Sequence, residues 1–201
     1  VSENGTLIYS PGGPAPSQQQ TVEWLTLRNE SIPLISDPRG YSSASLSPDG
    51  RKIALQINAA NNDIWVYDIR RATLQRLTFG GGNHSGQIWS PGGKNIAYMG
   101  GQWGARSEIY SRPWDGSGNA EILFGESGVE LYPAEYSPDG TYLLFVRIER
   151  GDNDIWAIPT KEPRTPFPVL HSSFQEWNPK ISPDGRWIAY ASNESGKPVS
   201  Y

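Results

Sequence analysis

The segment Ser-Pro-Asp-Gly occurs three times in this chain, and a fourth copy carries Gly in place of Asp. The copies lie at residues 47–50, 137–140 and 182–185, with the Gly variant at 90–93. Their closing glycines are 43, 47 and 45 residues apart. A repeat of roughly 45 residues has room for about four short strands, which is the content of one β-propeller blade. The spacing therefore predicts a ring-like array of small sheets.

The residue types of this segment are those of a tight turn between two strands. Pro presets the φ of the second position, Asp tolerates the third, Gly takes the positive φ of the fourth, and the Ser hydroxyl can bond free backbone amides. A strand with alternating apolar residues follows each copy, as at Ile53, Leu55 and Ile57. After a polar loop comes a second apolar strand, such as DIWVYDI at 63–69 and DIWAI at 154–158.

We predict an all-β fold with a single propeller-like domain over residues 1–201, an arc of about four to five four-stranded blades in an incomplete ring. The blades are predicted at approximately 1–37 (partial), 44–79, 87–125, 134–170 and 178–201 (partial). Propellers normally contain about four to eight blades and hide their sheet edges by closure. We therefore expect the chain to be a piece of a larger propeller or to be completed by a second copy.

Composition and charge exclude several classes of partner. The net charge is −4 with acidic and basic residues interspersed, so neither a phosphate backbone nor an anionic lipid surface is attracted. Cysteine is absent, and no apolar run reaches the roughly 18 residues that a spanning helix needs. We expect no nucleic acid partner and no membrane insertion.

The sequence contains no group of residues typical of a catalytic or metal site. A Ser-His-Asp mechanism needs an exposed nucleophile beside a histidine, but only His84 and His171 are present, without a Gly-x-Ser-x-Gly motif. Ser85 follows His84, yet adjacent residues of a strand point to opposite faces. The segment GDNDIW at 151–156 lacks the glycine and distal glutamate of a calcium loop. Its recurring acid is expected to accept hydrogen bonds from backbone amides, and we predict no enzyme activity, metal or cofactor.

Several segments carry a resemblance to a known family. SPDGRKIAL, NNDIWVYD, LQRLTFGGGN and SPDGRWIAYASNESG resemble the propeller repeat of TolB-like proteins. The same repeat occurs in modules appended to bacterial serine/threonine kinases and in the propellers of prolyl-oligopeptidase-type peptidases. The resemblance extends over essentially the whole chain and implies a propeller fold. It further implies a bacterial protein in the periplasm or another extracytoplasmic compartment.

A large ring recurs five or six residues before each turn serine, where the chain passes from one blade into the inner strand of the next. This position lies on the rim that propellers commonly use for ligands. Nearby loops supply Arg39, Asn83 and Phe174. The predicted rim site comprises Tyr41, His84, Trp103, Arg106, Glu130, Tyr132, Glu176 and Trp177. Aromatic residues with charged neighbours suit a protein or peptide partner; alternatively, these rings only set the angle between adjacent blades.

The leading hypothesis is a non-catalytic propeller module for protein or peptide interaction, with a homodimer through exposed terminal blades as one way to complete the ring. The alternative is the substrate-gating propeller of a peptidase whose catalytic domain lies outside this chain. A fold alone does not decide between them, because propellers serve many functions.

Overall fold

The computed structural model describes residues 7–9, 19–101 and 105–201, and of residues 7–9 the backbone alone. All regular secondary structure in these ranges is β-strand, arranged in five antiparallel sheets. The same ranges contain no helix that is long and apolar enough to cross a membrane. The all-β fold predicted from the repeat is confirmed.

Each sheet is built from strands that follow one another in the chain. The first sheet contains β1 (Leu7–Tyr9), β2 (Gln20–Leu25) and β3 (Ser31–Arg39). The second contains β4 (Tyr41–Leu46), β5 (Lys52–Asn58), β6 (Asn62–Asp68) and β7 (Thr73–Arg76). The third contains β8 (Asn83–Trp89), β9 (Asn95–Gly101), β10 (Arg106–Pro113) and β11 (Glu121–Ser127). The fourth contains β12 (Glu130–Tyr136), β13 (Tyr142–Glu149), β14 (Asp152–Pro159) and β15 (Phe167–Leu170). The fifth contains β16 (Glu176–Ile181), β17 (Ile188–Ser192) and β18 (Val199–Ser200).

The innermost strand of each later sheet begins a few residues before the blade start that the sequence predicts. These strands, β4, β8, β12 and β16, begin at Tyr41, Asn83, Glu130 and Glu176. Their sequences are poor in alternating apolar residues; β4, for example, carries the exposed Ser42 and Ser43. The period-2 signal that marks the other strands is therefore weak here.

Three apolar clusters lie between consecutive sheets and hold them side by side. In β5, Ile53 and Leu55 pack toward the first sheet, whereas Ala54 between them packs toward the third. In β9, Ile96 packs toward the second sheet and Ala97 toward the fourth. The inner strands β4, β8, β12 and β16 contact one another in succession. Since the second, third and fourth sheets are covered on both faces by their neighbours, the sheets form the blades of a β-propeller whose ring is not closed.

The repeated segment forms the turn between the first and second strands of each sheet. In the first copy, the Gly50 N–H donates to the Ser47 carbonyl (2.9 Å). The Ser47 hydroxyl accepts from the Lys52 N–H (2.9 Å) and donates to Asp49 (2.6 Å). That hydrogen bond lowers the pKa of Asp49. The closing glycines of the four copies have φ of 67°, 63°, 72° and 72°, which confirms the predicted turn.

The four turns stand side by side on one rim of the propeller, the turn rim. The proline of each of the first three turns lies next to the glycine of the following turn, in the pairs Pro48–Gly93, Pro91–Gly140 and Pro138–Gly185. The connections between the third and fourth strands reach the same rim, since the Thr160 N–H donates to the Thr141 carbonyl. Antiparallel pairing then places the remaining loops on the opposite rim.

Substitution of a turn glycine tests how strongly the fold depends on this geometry. For Gly140→Ala we expect a loss of about 1–2 kcal/mol in the free energy of unfolding, because φ is 72°. A methyl group would meet Pro91 no closer than 3.8 Å, so the cost comes from the backbone. Gly81→Ala is the matched control: Gly81 has open space around it, and we expect less than about 0.5 kcal/mol. Equal losses in urea unfolding would contradict the assignment.

Candidate functional site

The rim opposite the turns, called the loop rim, is formed by two kinds of connection. One kind, at 77–82, 128–129 and 171–175, leads from an outer strand into the inner strand of the next sheet; the other, including 59–61 and 150–151, joins second and third strands. Hydrogen bonds between sheets tie these connections together. The Asn62 N–H donates to Asn83 Oδ1 (3.2 Å), and Gln175 Nε2 donates to the Gly151 carbonyl (3.1 Å).

The structure separates the predicted rim residues into two groups. Tyr41, His84 and Glu176 occupy equivalent positions, since they pair with Ile57, Gly100 and Ser192 of the neighbouring strands. The side chains of this group lie between blades. Tyr41 and Glu176 are only 3% exposed, and the His84 side chain is 13% exposed. This position matches the interpretation in which a large side chain sets the angle between blades.

The second group lies one position further along the inner strand. Tyr132 pairs with Val146 and Trp177 pairs with Ala191, and both rings are half-buried. The Tyr132 hydroxyl donates to Glu130 Oε2 (3.0 Å). Burial raises the pKa of that hydroxyl, and the Glu130 charge raises it further. The Tyr132 ring also lies beside Gly86 of the preceding sheet, so packing between blades accounts for part of its burial.

Two other predicted rim residues are placed differently. Arg106 is exposed, and its Nε donates to Glu108 Oε1 (2.9 Å). Trp103 lies outside the described residues. The described residues of the predicted rim site therefore lie at separate positions on several sheets.

The acid at the start of β6 organises a small polar network on the loop rim. Asp63 is 6% exposed and accepts hydrogen bonds from Thr78 Oγ1 (2.9 Å) and Arg76 Nη2 (2.6 Å). His84 Nδ1 of the next sheet lies 3.4 Å from its Oδ1. The expectation that this acid accepts from backbone amides is wrong, because the adjacent Ile64 N–H donates to the Thr78 hydroxyl instead. The hydroxyl thus connects the backbone to the carboxylate.

The equivalent acid in the fourth sheet has different partners. Asp154 is 4% exposed, and its Oδ2 lies 2.9 Å from His171 Nδ1. Next to His171 in the chain, Ser172 donates to Glu176 Oε1 (2.5 Å). One carboxylate oxygen of Asp154 and one of Glu176 are buried without a hydrogen-bond partner among the described residues. Among the ion pairs of the described residues, Asp63 is paired with Arg76, whereas no arginine is paired with Asp154.

A recess of about 430 Å³ opens on the loop rim between the first and second sheets. Its lining includes Arg39, Asn58, Asp63, Trp65 and Arg76. The Arg39 guanidinium lies 5.7 Å from the Trp65 ring centre. Trp65 and Arg76 are register partners in β6 and β7 and so share a face. The Arg76 guanidinium itself lies over Phe79, 5.2 Å from the ring centre, so each of the two guanidinium groups is next to an aromatic ring.

Sequence reasoning identified Arg39 as a loop neighbour but missed Trp65 and Arg76. A usable signal existed: in a β6–β7 hairpin, the tryptophan of DIWVYD pairs with the arginine of TLQR. The recess can hold and orient a polar group through Arg N–H donors beside a rigid ring. Among the described residues, no three His, Cys, Asp or Glu side chains converge as a metal site would require.

Comparison with known proteins relates this fold to a family. The profile described as TolB beta propeller domain matches residues 17–201. An uncharacterized protein of Agrobacterium fabrum is 27% identical over 110 residues, which are 53% of this chain and 35% of that protein. The structure of TolB from Acinetobacter baumannii matches with a TM-score of 0.74 at 18% identity, over 98% of this chain and 48% of that one.

A prolyl endopeptidase structure matches with a TM-score of 0.69 at 14% identity, over 97% of this chain and 32% of that one. The chain thus spans about a third of the curated relative and about half of the TolB structure. At these identities the structural matches show the fold alone.

The buried position of His84 makes a pH-dependent prediction. Burial lowers its pKa below 6.5, against the opposing effect of the nearby Asp63 carboxylate. The unfolded chain therefore binds more protons near that pH, and the free energy of unfolding should fall as the pH decreases from about 7 to about 5. Nuclear magnetic resonance of the ring protons should give a midpoint below 6.5.

The two histidines allow a matched control for this titration. His171→Gln should retain the loss of stability toward low pH, whereas His84→Gln should reduce it. Asp139 has its pKa lowered to about 2 by hydrogen bonds from Ser137 and Thr141, so its titration lies outside this window. A His84 midpoint above 6.5 would contradict the burial argument.

Proposed function

The chain belongs to the TolB β-propeller domain family, and from that premise we propose that it is a non-catalytic module that binds a protein or peptide through its loop rim. We place it in an extracytoplasmic compartment, in line with its similarity to TolB. The propeller supplies a rigid frame, and the loop rim supplies the side chains that contact the partner.

The observation that carries this proposal is the open recess beside Arg39, Trp65 and Arg76. Tryptophan, tyrosine and arginine are the residues that dominate binding energy at protein interfaces. The half-buried rings of Tyr132 and Trp177 extend the surface along the same rim. Each of these side chains is anchored on a strand, so little conformational entropy is lost when a partner orders them.

A non-catalytic role is supported by the way the histidines are used. His84 packs edge-on against Tyr98, with ring centres 5.6 Å apart, and lies between two blades. His171 contacts the Asp154 carboxylate. Both imidazoles thus have structural partners.

A second candidate function is the substrate-gating propeller of a peptidase, which the similarity to a prolyl endopeptidase favours. The two candidates differ in selectivity. An interaction module recognises a defined peptide sequence, whereas a gate admits many peptides to a catalytic domain that this propeller would accompany.

We also propose that a second copy covers the outer face of the fifth sheet when the chain is alone. In the complete sheets, the corresponding residues of the second strand are buried by the following blade, with Ala54 and Ala97 0% and Leu144 3% exposed. Ala189 holds this position in the fifth sheet and is exposed. Trp187 nearby is 71% exposed. Covering such apolar area is favourable, and pairing protects a sheet edge.

Selection from a random peptide library tests the interaction function. We expect the immobilised chain to select a related set of peptides. Combined Tyr132→Ala and Trp177→Ala substitution should weaken their binding at least about tenfold, which is about 1.4 kcal/mol. Calorimetry with a selected peptide gives the affinity, and thermal unfolding checks the fold.

The matched control is Tyr142→Ala with Phe167→Ala, two exposed aromatic residues of the fourth sheet that contact each other near the turn rim. These changes should leave peptide affinity unchanged. If the wild-type chain selects no related peptides, the interaction function is wrong. If the Tyr132 and Trp177 variant unfolds, those rings serve blade packing instead.

A further inference from the structure

The recess beside Trp65 brings two arginines together on a protein whose net charge is −4. Each arginine is paired with one acid, Arg76 with the buried Asp63 and Arg39 with the exposed Asp37. An anionic group can therefore bind at this place by sharing or replacing Asp37 on Arg39.

Asp63, the acidic residue of the recess, already has hydrogen-bond donors within the protein. Asp63 is buried and accepts from both Thr78 and Arg76. Arg76 donates only this hydrogen bond among the described residues, and its Nε has no partner there. The unpartnered Nε is buried. Since a guanidinium has five N–H groups and the Arg76 side chain is 35% exposed, its remaining terminal N–H groups are the donors that a ligand can meet.

Arg39 is held by a weak and replaceable partner. Its Nε and Nη2 both donate to one oxygen of Asp37, at 2.9 and 2.8 Å. Asp37 is 63% exposed and Arg39 38% exposed, and exposed ion pairs of this kind contribute little to stability. A ligand carboxylate can therefore share or replace Asp37 at small cost.

The Trp65 ring forms one wall of the recess. Trp65 lies beneath the Arg39 guanidinium and on the same face as Arg76. A rigid ring that displaces water strengthens the hydrogen bonds and charge interactions beside it. The volume of about 430 Å³ is at the small end of the range of roughly 300–1,000 Å³ for ligand pockets. It suits one side chain or one chain terminus.

Charge balance selects a single negative charge. Arg39 and Arg76 carry two positive charges, which Asp37 and Asp63 balance. A ligand carboxylate that replaces the exposed Asp37 on Arg39 keeps this balance and matches the planar fork geometry of arginine. A phosphate dianion would bring a second negative charge close to Asp63.

We infer that this recess binds a carboxylate of the partner, supplied either by an acidic side chain or by a C-terminus, so that the partner is an acidic or C-terminal peptide segment. The inference rests on the proposed interaction function and specifies its chemistry.

Three short capped peptides test it by nuclear magnetic resonance. Acetyl-Gly-Glu-Gly-amide carries a side-chain carboxylate, acetyl-Gly-Gln-Gly-amide carries none, and acetyl-Gly-Gly-Gly carries a terminal one. Titration should shift the Trp65 indole N–H and the Arg39 Nε–H signals. We expect at least one carboxylate peptide to bind at least about tenfold more tightly than the glutamine peptide. The affinities of the two carboxylate peptides then show whether the recess prefers a side-chain carboxylate or a C-terminal one.

Variants locate the binding group. Arg39→Gln should abolish the shifts of the Trp65 signal, and Arg39→Lys should restore part of the affinity because it retains the charge without the fork. Arg186→Gln is the control, since Arg186 is another exposed arginine paired with an aspartate two residues before it, and it lies at the turn rim. It should leave binding unchanged.

The inference is overturned if the glutamine peptide shifts the signals as much as the carboxylate peptides do, or if none of the three peptides shifts them. It is also overturned if Arg39→Gln binds the carboxylate peptides as tightly as the wild-type chain. The peptides selected from the library separate this failure from that of the proposed function. Selected peptides that bind without any carboxylate would leave the interaction function intact while refuting the carboxylate site. If no peptide is selected, the interaction function itself fails.

Discussion

The structure depends on lateral packing between sheets that are apolar on both faces. Alternate residues of one strand serve two different interfaces, as Leu55 and Ala54 do in β5. Burying one side chain of the size of Leu or Ile contributes about 1.5–3 kcal/mol, so a sheet with one open face loses much of its stabilisation. Because both faces are needed for packing, only the two rims of the second, third and fourth sheets are free for contact with a partner.

The repeat predicts the sheets well because its signals are local. A turn that needs Gly at positive φ, followed by alternating apolar residues, marks the first two strands of each unit without reference to the rest of the chain. The binding surface is harder to predict, because one position along a strand decides whether a ring is buried between blades. Tyr41 and Tyr132 differ in this way. Bulges between Tyr41 and Ser43 and between Ser85 and Ile88 further shift the alternation.

The recess combines residues that the sequence repeat does not place together. Arg39, Trp65 and Arg76 come from three strands of two sheets, and each belongs to a different part of its repeat. The acids Asp63 and Asp154 occupy corresponding positions yet have different partners. The repeats thus share a framework of turns and strands, while the polar groups on the loop rim differ from blade to blade. A propeller of this kind can acquire a particular ligand chemistry without changing its fold.

Amide hydrogen exchange measured at low and high protein concentration tests the packing account most directly. In the dilute monomer, the central strands β9 and β13 should exchange slowest, because neighbours cover both faces of their sheets. Strand β17, with one uncovered face, should exchange much faster and should become protected as the concentration rises and a second copy covers it. Protection of β17 equal to that of β9 in the dilute monomer would contradict the account.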